Sequence, residues 1–265
     1  MEGLKILVCV KQVPATTDIM IDNEKGTLIR DGVLSEMNPF DKYAVEAALQ
    51  LKEKCGGGIT AMSMGPPQVE EALIEAIAMG CDQGVSLTDT KFAGSDTLAT
   101  SYTLACAIRK NGPFDIIFCG LKTTDGDTGQ VGPSLAEELN VPHVSYVSKV
   151  ISVENDVICL ERCMDDYREI VELSLPILIT VLKGTIEPRY PSFKKRRMAK
   201  EAVIPKWTAE DLNGSEERFG LDGSKTRVIK VFHPRSRDKG EFLEGNPKEL
   251  SANLASKLKK MNFIK

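Results

Sequence analysis

The chain has 265 residues, 42% of them hydrophobic, which is enough to bury a large core and excludes disorder as the dominant state. Its 34 Lys and Arg against 38 Asp and Glu give a net charge of -4. This charge argues against a protein whose overall electrostatic field attracts nucleic acid or an anionic membrane. No apolar run approaches the roughly 18 residues of a membrane helix, and the start does not resemble a signal peptide. We therefore expect a cytoplasmic protein.

Strands and helices alternate over the first half of the chain. Buried strands are expected at 4–11, 59–64, 84–87 and 115–119, because these runs are apolar and rich in β-formers. Helices are expected from Asp41, from Pro66-Pro67, from Asp96 and from Pro133, where caps or prolines precede apolar positions at helical spacing. This order predicts an open, mostly parallel α/β sheet.

Beyond residue 143 the pattern changes to successive strands, at 143–152, 156–162, 168–174 and 176–182. Turn residues separate the first three of them, which predicts an antiparallel extension of the sheet. We assign residues 1–187 to one α/β domain.

The remaining residues divide into two parts. Residues 188–245 contain four prolines and little periodicity, which is typical of an arm, and we expect this arm to lie on a partner. Residues 246–265 are expected to form a terminal helix, since Asn246, Pro247 and Glu249 make a capping sequence. Leu250, Leu254 and Leu258 give this helix an apolar face.

Cysteine and histidine usage leaves little for a metal centre. The seven cysteines include no CxxC pair, so neither a disulfide framework nor an iron–sulfur site is expected. The two histidines, His143 and His233, are far apart and have no cysteine cluster nearby, which argues against a zinc site or a Ser-His-Asp triad. We expect no bound metal.

The best candidate for a ligand site is the loop over residues 120–133. It leaves a buried strand and enters a helix, which is where open α/β sheets bind ligands, although both common glycine-rich phosphate motifs are absent. Its glycines permit close backbone approach, its hydroxyls and Gln130 can hydrogen-bond, and the following helix start suits a phosphate. The alternative is a polar connecting loop without a ligand.

Two further segments precede helices at the same sheet edge. They are 38–41 and 94–97, so three helix starts are expected around one crevice. For 38–41 the alternative is a simple helix entry with Asp41 as the N-cap.

A basic run stands in the predicted arm. It has five cations within residues 194–200 and no interleaved aromatic residues, so it does not predict nucleic-acid binding. The alternative to a binding role is a solvated stretch of the arm.

Several motifs together resemble the beta subunits of electron-transfer flavoproteins. They are the runs at 8–14, 37–41, 63–66, 78–80, 125–133 and 187–190, and the spaced pattern from Arg162 through Asp165-Asp166 and Glu169 to Pro176 and Thr180. The resemblance covers essentially the whole chain, with Leu160 where a β-branched residue or Ala is more usual.

This resemblance implies a Rossmann-like fold and a heterodimer with an alpha subunit that carries its own FAD. It also implies an adenine nucleotide in the crevice of the beta subunit. In ordinary members that nucleotide is a structural AMP, whereas in flavin-bifurcating members it is a second FAD. The second FAD takes hydride from NADH and sends electrons to ferredoxin and to the alpha-subunit flavin. The loop over 124–133 is similar to the bifurcating members, so FAD is favoured and AMP is the alternative.

The resemblance also implies which residues contact the nucleotide, and none of them acts as a general acid or base. The contacts carried over by position are Cys9, Asn38, Pro39, Phe40, Asp41, Met64, Asp96, Thr97, Thr100, Thr124, Asp125, Gly126, Asp127, Thr128, Gly129, Gln130, Val131, Gly132, Pro133 and Ser134.

The segment after Tyr190 resembles the loop through which the family docks on flavin dehydrogenases, with Phe193 as its apolar anchor. The run Lys194–Arg197 departs from the usual pattern of members that bind acyl-CoA dehydrogenases. The implied partner is therefore either an acyl-CoA dehydrogenase or an FAD-dependent dehydrogenase of the lactate type.

Overall fold

A computed structural model describes residues 3–15, 21–22, 27–28, 34–229 and 240–264. Residues 230–239 of the predicted arm, with His233, lie outside the described residues. By contacts, the chain divides into a large unit over 1–230 and a small unit over 231–265. Among the described residues, no helix is long and apolar enough to cross a membrane.

Thirteen strands are described. They are β1 (Leu4–Cys9), β2 (Gln12–Pro14), β3 (Ile21–Asp22), β4 (Thr27–Leu28), β5 (Ser35–Met37), β6 (Gly57–Met64), β7 (Gln83–Leu87), β8 (Ile116–Gly120), β9 (His143–Glu154), β10 (Val157–Cys163), β11 (Arg168–Ser174), β12 (Ile177–Val181) and β13 (Lys206–Trp207). The α-helices are α1 (Pro39–Cys55), α2 (Glu70–Met79), α3 (Thr97–Asn111), α4 (Val131–Leu139), α5 (Phe193–Ala199), α6 (Gly220–Gly223) and α7 (Pro247–Lys260).

Nine of these strands form one sheet, in the order β11-β10-β9-β12-β8-β1-β6-β7-β13. The pairs from β9 through β12, β8, β1, β6 and β7 to β13 are parallel, and β10 is antiparallel to both of its neighbours. The prediction of a Rossmann-like, mostly parallel sheet with an antiparallel extension is confirmed. The fourth strand of the late series, β12, returns into the parallel part between β8 and β9.

The core has two layers, one on each face of the sheet. Side chains of α1 and α2 cover one face with residues such as Val45 and Leu73, and side chains of α3 and α4 cover the other with residues such as Leu104 and Leu135. The apolar runs of the central strands are buried on both faces because both are covered by helices.

Part of the predicted arm packs on this chain. β13 extends the sheet beside β7, and Ala209, Leu212 and Phe219 are buried in the same core layer as α3. This differs from the expectation that the whole segment covers a partner. A strand of two residues and isolated core side chains are too short to produce a periodic pattern, so the sequence does not signal them.

The terminal helix is confirmed by its cap. Asn246 accepts from the N–H of Glu249 at 3.0 Å, and Glu249 accepts from the N–H of Asn246 at 3.2 Å, which is a capping box. None of the residues of α7 is buried in the small unit, and Leu254 is exposed.

Candidate functional site

The candidate site is a crevice at the carboxyl ends of β1 and β8. The chain leaves β1 for β6 on one side of the sheet, while β8 lies on the other side, so the strand order reverses between β1 and β8. Ligands of open α/β sheets bind at such a point. The loop after β8 (residues 121–130, here the crevice loop) and the starts of α1, α3 and α4 follow at this edge.

Asp41 joins the ends of the two central strands below the crevice. Its Oδ2 accepts from the backbone N–H of Lys11 at 2.8 Å, and its Oδ1 accepts from that of Gly120 at 3.2 Å. Burial raises the pKa of Asp41 to about 7, although these hydrogen bonds and the charge of Lys11 oppose the rise. The alternative that Asp41 is an N-cap is wrong, because α1 begins at Pro39 after Asn38.

Asn38 holds the crevice loop. Its side chain is fully buried, and its Nδ2 donates to the carbonyl of Lys122 at 3.0 Å while its Oδ1 accepts from the N–H of Thr124 at 3.2 Å. One amide thus pairs with the loop backbone much as a neighbouring strand would. The start of α1 and the crevice loop are therefore one structural unit.

Two lysines pair with the carboxylates of the crevice loop. Lys11 Nζ lies 2.6 Å from Asp125 Oδ2, and Lys122 Nζ lies 2.8 Å from Asp127 Oδ1. Burial acts to raise the pKa of Asp125, but the hydrogen bond and charge of Lys11 outweigh it and hold this pKa below its usual value. The pair with Lys11 thus keeps Asp125 ionised, and both pairs offset the repulsion between the carboxylates of the crevice loop and an anionic ligand.

The backbone of the crevice loop has one position that needs glycine. Gly129 has a φ of +63°, which a β-branched residue does not tolerate. Gly126 and Gly132 are not in this region of backbone space. A Cβ at Gly132 would collide with Thr180 of β12, so this glycine brings α4 close to the sheet.

The start of α3 forms the third wall of the crevice. Asp96 is its N-cap, as predicted, and accepts from the N–H groups of Leu98 and Ala99 at 2.9 and 3.0 Å. Thr97 Oγ1 donates to Gln130 Oε1 at 2.9 Å, which ties α3 to the crevice loop.

The floor of the crevice consists of small and sulfur-containing side chains. Cys9 is partly exposed at the end of β1 and lies opposite Cys119 of β8 in the strand register, and Met64 is partly exposed at the end of β6. The hydroxyl of Thr180, next to the start of α4, is buried and has no partner among the described residues. This unpaired hydroxyl and the free N–H groups of a helix start fit a phosphate-bearing ligand.

Phe40 lies at the mouth between two lysines. Lys122 Nζ and Lys183 Nζ are each 5.9 Å from the centre of its ring, and Phe40 itself is half-buried. Three adjacent strands, β1, β8 and β12, are thus each followed by a lysine at this edge, namely Lys11, Lys122 and Lys183. Lys11 and Lys122 are paired with carboxylates of the crevice loop, whereas Lys183 has no ion pair among the described residues.

The predicted site residues divide into two groups, the nucleotide contacts and the partner anchor. Cys9, Met64, the start of α1, the start of α3 and the crevice loop meet at one edge of the sheet. The carboxylates of Asp41 and Asp96 are already engaged by backbone N–H groups. Phe193 belongs to α5, which packs against α2, and contributes to another surface.

Sequence reasoning missed four contributors to the crevice. Lys11, Lys122 and Lys183 each stand two residues after the end of a buried strand, which is a signal that could have included them. The segment Ser224–Thr226 also reaches the start of α3, where Asp96 holds it. Nothing local in the sequence marks this contact.

A second exposed surface surrounds α5. Tyr190, Phe193, Met198 and Val203 are each at least 60% exposed, and none of the four cations from Lys194 to Arg197 has an ion pair within the described residues. We call residues 190–203 the α5 surface. Arg189 anchors its start, since its guanidinium donates to both carboxylate oxygens of the buried Glu46 at 2.8 and 2.9 Å.

Comparisons with known proteins agree over nearly the whole chain. Residues 25–212 match the electron transfer flavoprotein domain. The chain is 46% identical over 261 residues to the electron transfer flavoprotein subunit beta of Clostridium acetobutylicum, which covers 98% of this chain and 100% of that protein. It is 43% identical over 263 residues to the caffeyl-CoA reductase-Etf complex subunit CarD of Acetobacterium woodii, with 98% and 100% covered. It is 44% identical over 238 residues to Protein FixA of Bradyrhizobium diazoefficiens, with 87% and 83% covered.

Proposed function

Because this chain belongs to the electron transfer flavoprotein family and is a beta subunit of such a protein, we propose that its crevice binds FAD. In this proposal the bound flavin is where NADH delivers its electrons. From there they leave in two directions, to ferredoxin and to the FAD of the alpha subunit that pairs with this chain.

One observation carries the assignment of a nucleotide to the crevice. A fully buried amide, Asn38, holds the loop that leads from the end of β8 to the start of α4. A loop that only connects a strand to a helix does not need a buried polar side chain to shape it, since burying an amide costs free energy unless it is paired. The loop ends at the start of α4, whose first N–H groups suit a pyrophosphate.

FAD supplies, when bound, the capacity to accept a hydride and to release single electrons. The residues of this chain bind and orient it. Thr124, Thr128 and Gln130 supply hydroxyl and amide groups, and the backbone around Gly129 approaches closely. Lys11 and Lys122 offset the charge of the crevice loop.

The second candidate is a beta subunit that holds AMP as a structural ligand and serves as a docking module. Both lysines beside the crevice loop are already paired with carboxylates of that loop. They therefore offer no unpaired charge to a second phosphate, which favours a monophosphate.

The α5 surface is the proposed site for a partner flavin dehydrogenase. Its exposed aromatic ring at Phe193 suits an apolar pocket, and its unpaired cations suit an acidic rim around that pocket. The name of the Acetobacterium relative includes a CoA-linked reductase, which supports a partner of the acyl-CoA dehydrogenase class. A lactate-type dehydrogenase is the other candidate.

Counting the nucleotides released from the co-expressed heterodimer tests this proposal. Denaturation followed by chromatography separates FAD from AMP. A second FAD per heterodimer and no AMP supports the proposed function. A single FAD together with AMP supports the docking module instead.

A further inference from the structure

Asp96 joins the start of α3 to residues 224–226. These residues lie close to the end of the described part of the large unit. The Oδ1 of Asp96 caps α3, while its Oδ2 accepts from the N–H groups of Lys225 and Thr226 at 2.8 and 2.9 Å. The hydroxyl of Thr226 donates to the same Oδ2 at 3.1 Å. One carboxylate therefore fixes two elements at once.

Ser224 completes this contact from the other side. Its Oγ accepts from the backbone N–H of Asp96 at 2.8 Å and lies 2.7 Å from the carbonyl of Gly220, to which it donates. We call Asp96 together with Ser224–Thr226 the latch. The latch closes by hydrogen bonds alone, since Lys225 and Thr226 are exposed.

The latch and the crevice loop share the first turn of α3. Thr97, next to Asp96, donates to Gln130 of the crevice loop at 2.9 Å, and Ser101 Oγ lies 3.3 Å from the carbonyl of Val131. A ligand that orders Gln130 and Val131 therefore also orders the turn that carries Asp96.

The charges of the latch favour an anionic ligand. Burial acts to raise the pKa of Asp96, but its hydrogen bonds to Ala99, Thr226 and Lys225 hold it below the usual value, so the carboxylate is ionised. The N–H groups of Lys225 and Thr226 and the hydroxyl of Thr226 direct their positive ends at this carboxylate. They thus lessen the repulsion between Asp96 and a phosphate at the crevice.

We propose that Asp96 is a positioning residue that couples the crevice to the latch, so that a nucleotide in the crevice and the closed latch stabilise each other. This inference rests on the proposed function, since it needs a phosphate-bearing ligand in the crevice. This coupling is reciprocal. If the bound nucleotide favours the closed latch by a given factor, opening the latch weakens nucleotide binding by the same factor.

Hydrogen exchange tests the coupling directly, because the amides of Lys225 and Thr226 are the latch's own donors. The sample is the heterodimer with its alpha subunit, stripped of nucleotide and reloaded with AMP or with FAD. We expect the ligand to slow exchange of these two amides. We expect Thr226→Val to speed their exchange and to weaken nucleotide binding about fivefold or more, since it removes a hydrogen bond to a charged group.

Two further variants separate this role from a general loss of stability. Thr226→Ser keeps the hydroxyl and should restore wild-type exchange and affinity. Thr208→Val removes another threonine hydroxyl that bonds to a carboxylate, that of Asp211 at 3.0 Å, and should change neither property.

The outcomes are distinct. Tight nucleotide binding with unchanged exchange at 225 and 226, or an unchanged affinity in Thr226→Val, overturns the coupling and leaves the proposed function intact. If neither AMP nor FAD binds the wild-type heterodimer, the proposed function fails and the coupling fails with it.

Discussion

Asn38 Nδ2 lies 3.0 Å from the carbonyl oxygen of Lys122, so a fully buried amide at the start of α1 holds a loop more than 80 residues further along the chain. The opposite atom of the same amide accepts from the N–H of Thr124. This pairing requires both a donor and an acceptor on one side chain, and only Asn has that combination at this length.

Asn38→Asp is expected to disrupt the crevice. The substitution places a carboxylate oxygen against the carbonyl of Lys122 in a fully buried position, which costs about 2 kcal/mol or more. We expect a lower melting temperature of the heterodimer and loss of the bound nucleotide. Asn155→Asp, in an exposed turn, is the matched control and should change neither.

Asp41 should make stability depend on pH in the direction opposite to that of most carboxyl groups. Its pKa in the folded chain is about 7, against 3.8 as the ordinary value, because burial disfavours the charged form. The folded state therefore binds more protons between these values, and the contribution of Asp41 to the free energy of unfolding falls as pH rises from about 4 to about 7. The loss is at most about 4 kcal/mol.

Asp41→Asn removes this dependence. The free energy of unfolding of the variant, relative to that of the wild type, should rise between pH 5 and pH 7 and then level off. Chemical denaturation across this range measures it, with Asp156→Asn in an exposed turn as the control. Parallel curves for the wild type and Asp41→Asn would show that this carboxyl does not titrate in the range.

Gly129→Val should empty the crevice, whereas Gly126→Ala should not. At Gly129 the φ of +63° forces a β-branched residue into a strained backbone, at a cost of about 1–3 kcal/mol. At Gly126 a Cβ would meet only Thr123 Oγ1, at an ordinary distance of 3.6 Å. Nucleotide released per heterodimer measures both, and retention by Gly129→Val would contradict this account of the loop.

Phe193→Ala should weaken electron delivery to the partner dehydrogenase without changing reduction by NADH. An exposed aromatic anchor typically carries about 2 kcal/mol or more of binding. Steady-state coupling and stopped-flow flavin reduction separate the two steps. Ile170→Ala, at another exposed apolar residue, is the control, and if Phe193→Ala couples like the wild type, the α5 surface is only a solvated stretch.

Charge reversal at Lys194, Lys195, Arg196 and Arg197 should have a different effect. These cations lie around the proposed anchor, and such charges mainly change the association rate and its salt dependence. We expect partner reduction to become slower and less sensitive to salt. Coupling measured at two ionic strengths checks this, and an unchanged salt dependence would exclude these residues from the docking step.

This chain should be poorly stable without its alpha subunit. The α5 surface and Leu254 of α7 expose apolar side chains that no described part of their own unit covers. Expression of the chain alone should give aggregated or loosely folded protein. A monodisperse monomer with a cooperative melting transition would contradict this expectation.

The elements of the sheet were predictable because their signals are local. Apolar runs such as Ile116–Gly120 and caps such as Asp96 are each contained within a few residues. The edge of the sheet at which the predicted ligand contacts meet was also predictable, because the carboxyl ends of parallel strands lie at the same edge.

The contacts between distant segments were not predictable. The hydrogen bonds of Asp41 to Lys11 and Gly120, and of Asp96 to Lys225 and Thr226, join residues that only the folded backbone brings together. The separate roles of the glycines were not predictable for the same reason, because the sequence does not distinguish Gly129, whose φ is +63°, from Gly132, where a side chain would collide with Thr180.

Anaerobic titration of the heterodimer with NADH, in the wild type and in Gly129→Val, tests the central claim most directly. If the crevice holds the FAD to which NADH delivers its electrons, the wild type loses its flavin absorbance on titration. Gly129→Val should retain only the alpha-subunit flavin and fail to react rapidly with NADH. Equal rates and extents of flavin reduction in the two proteins would contradict the claim.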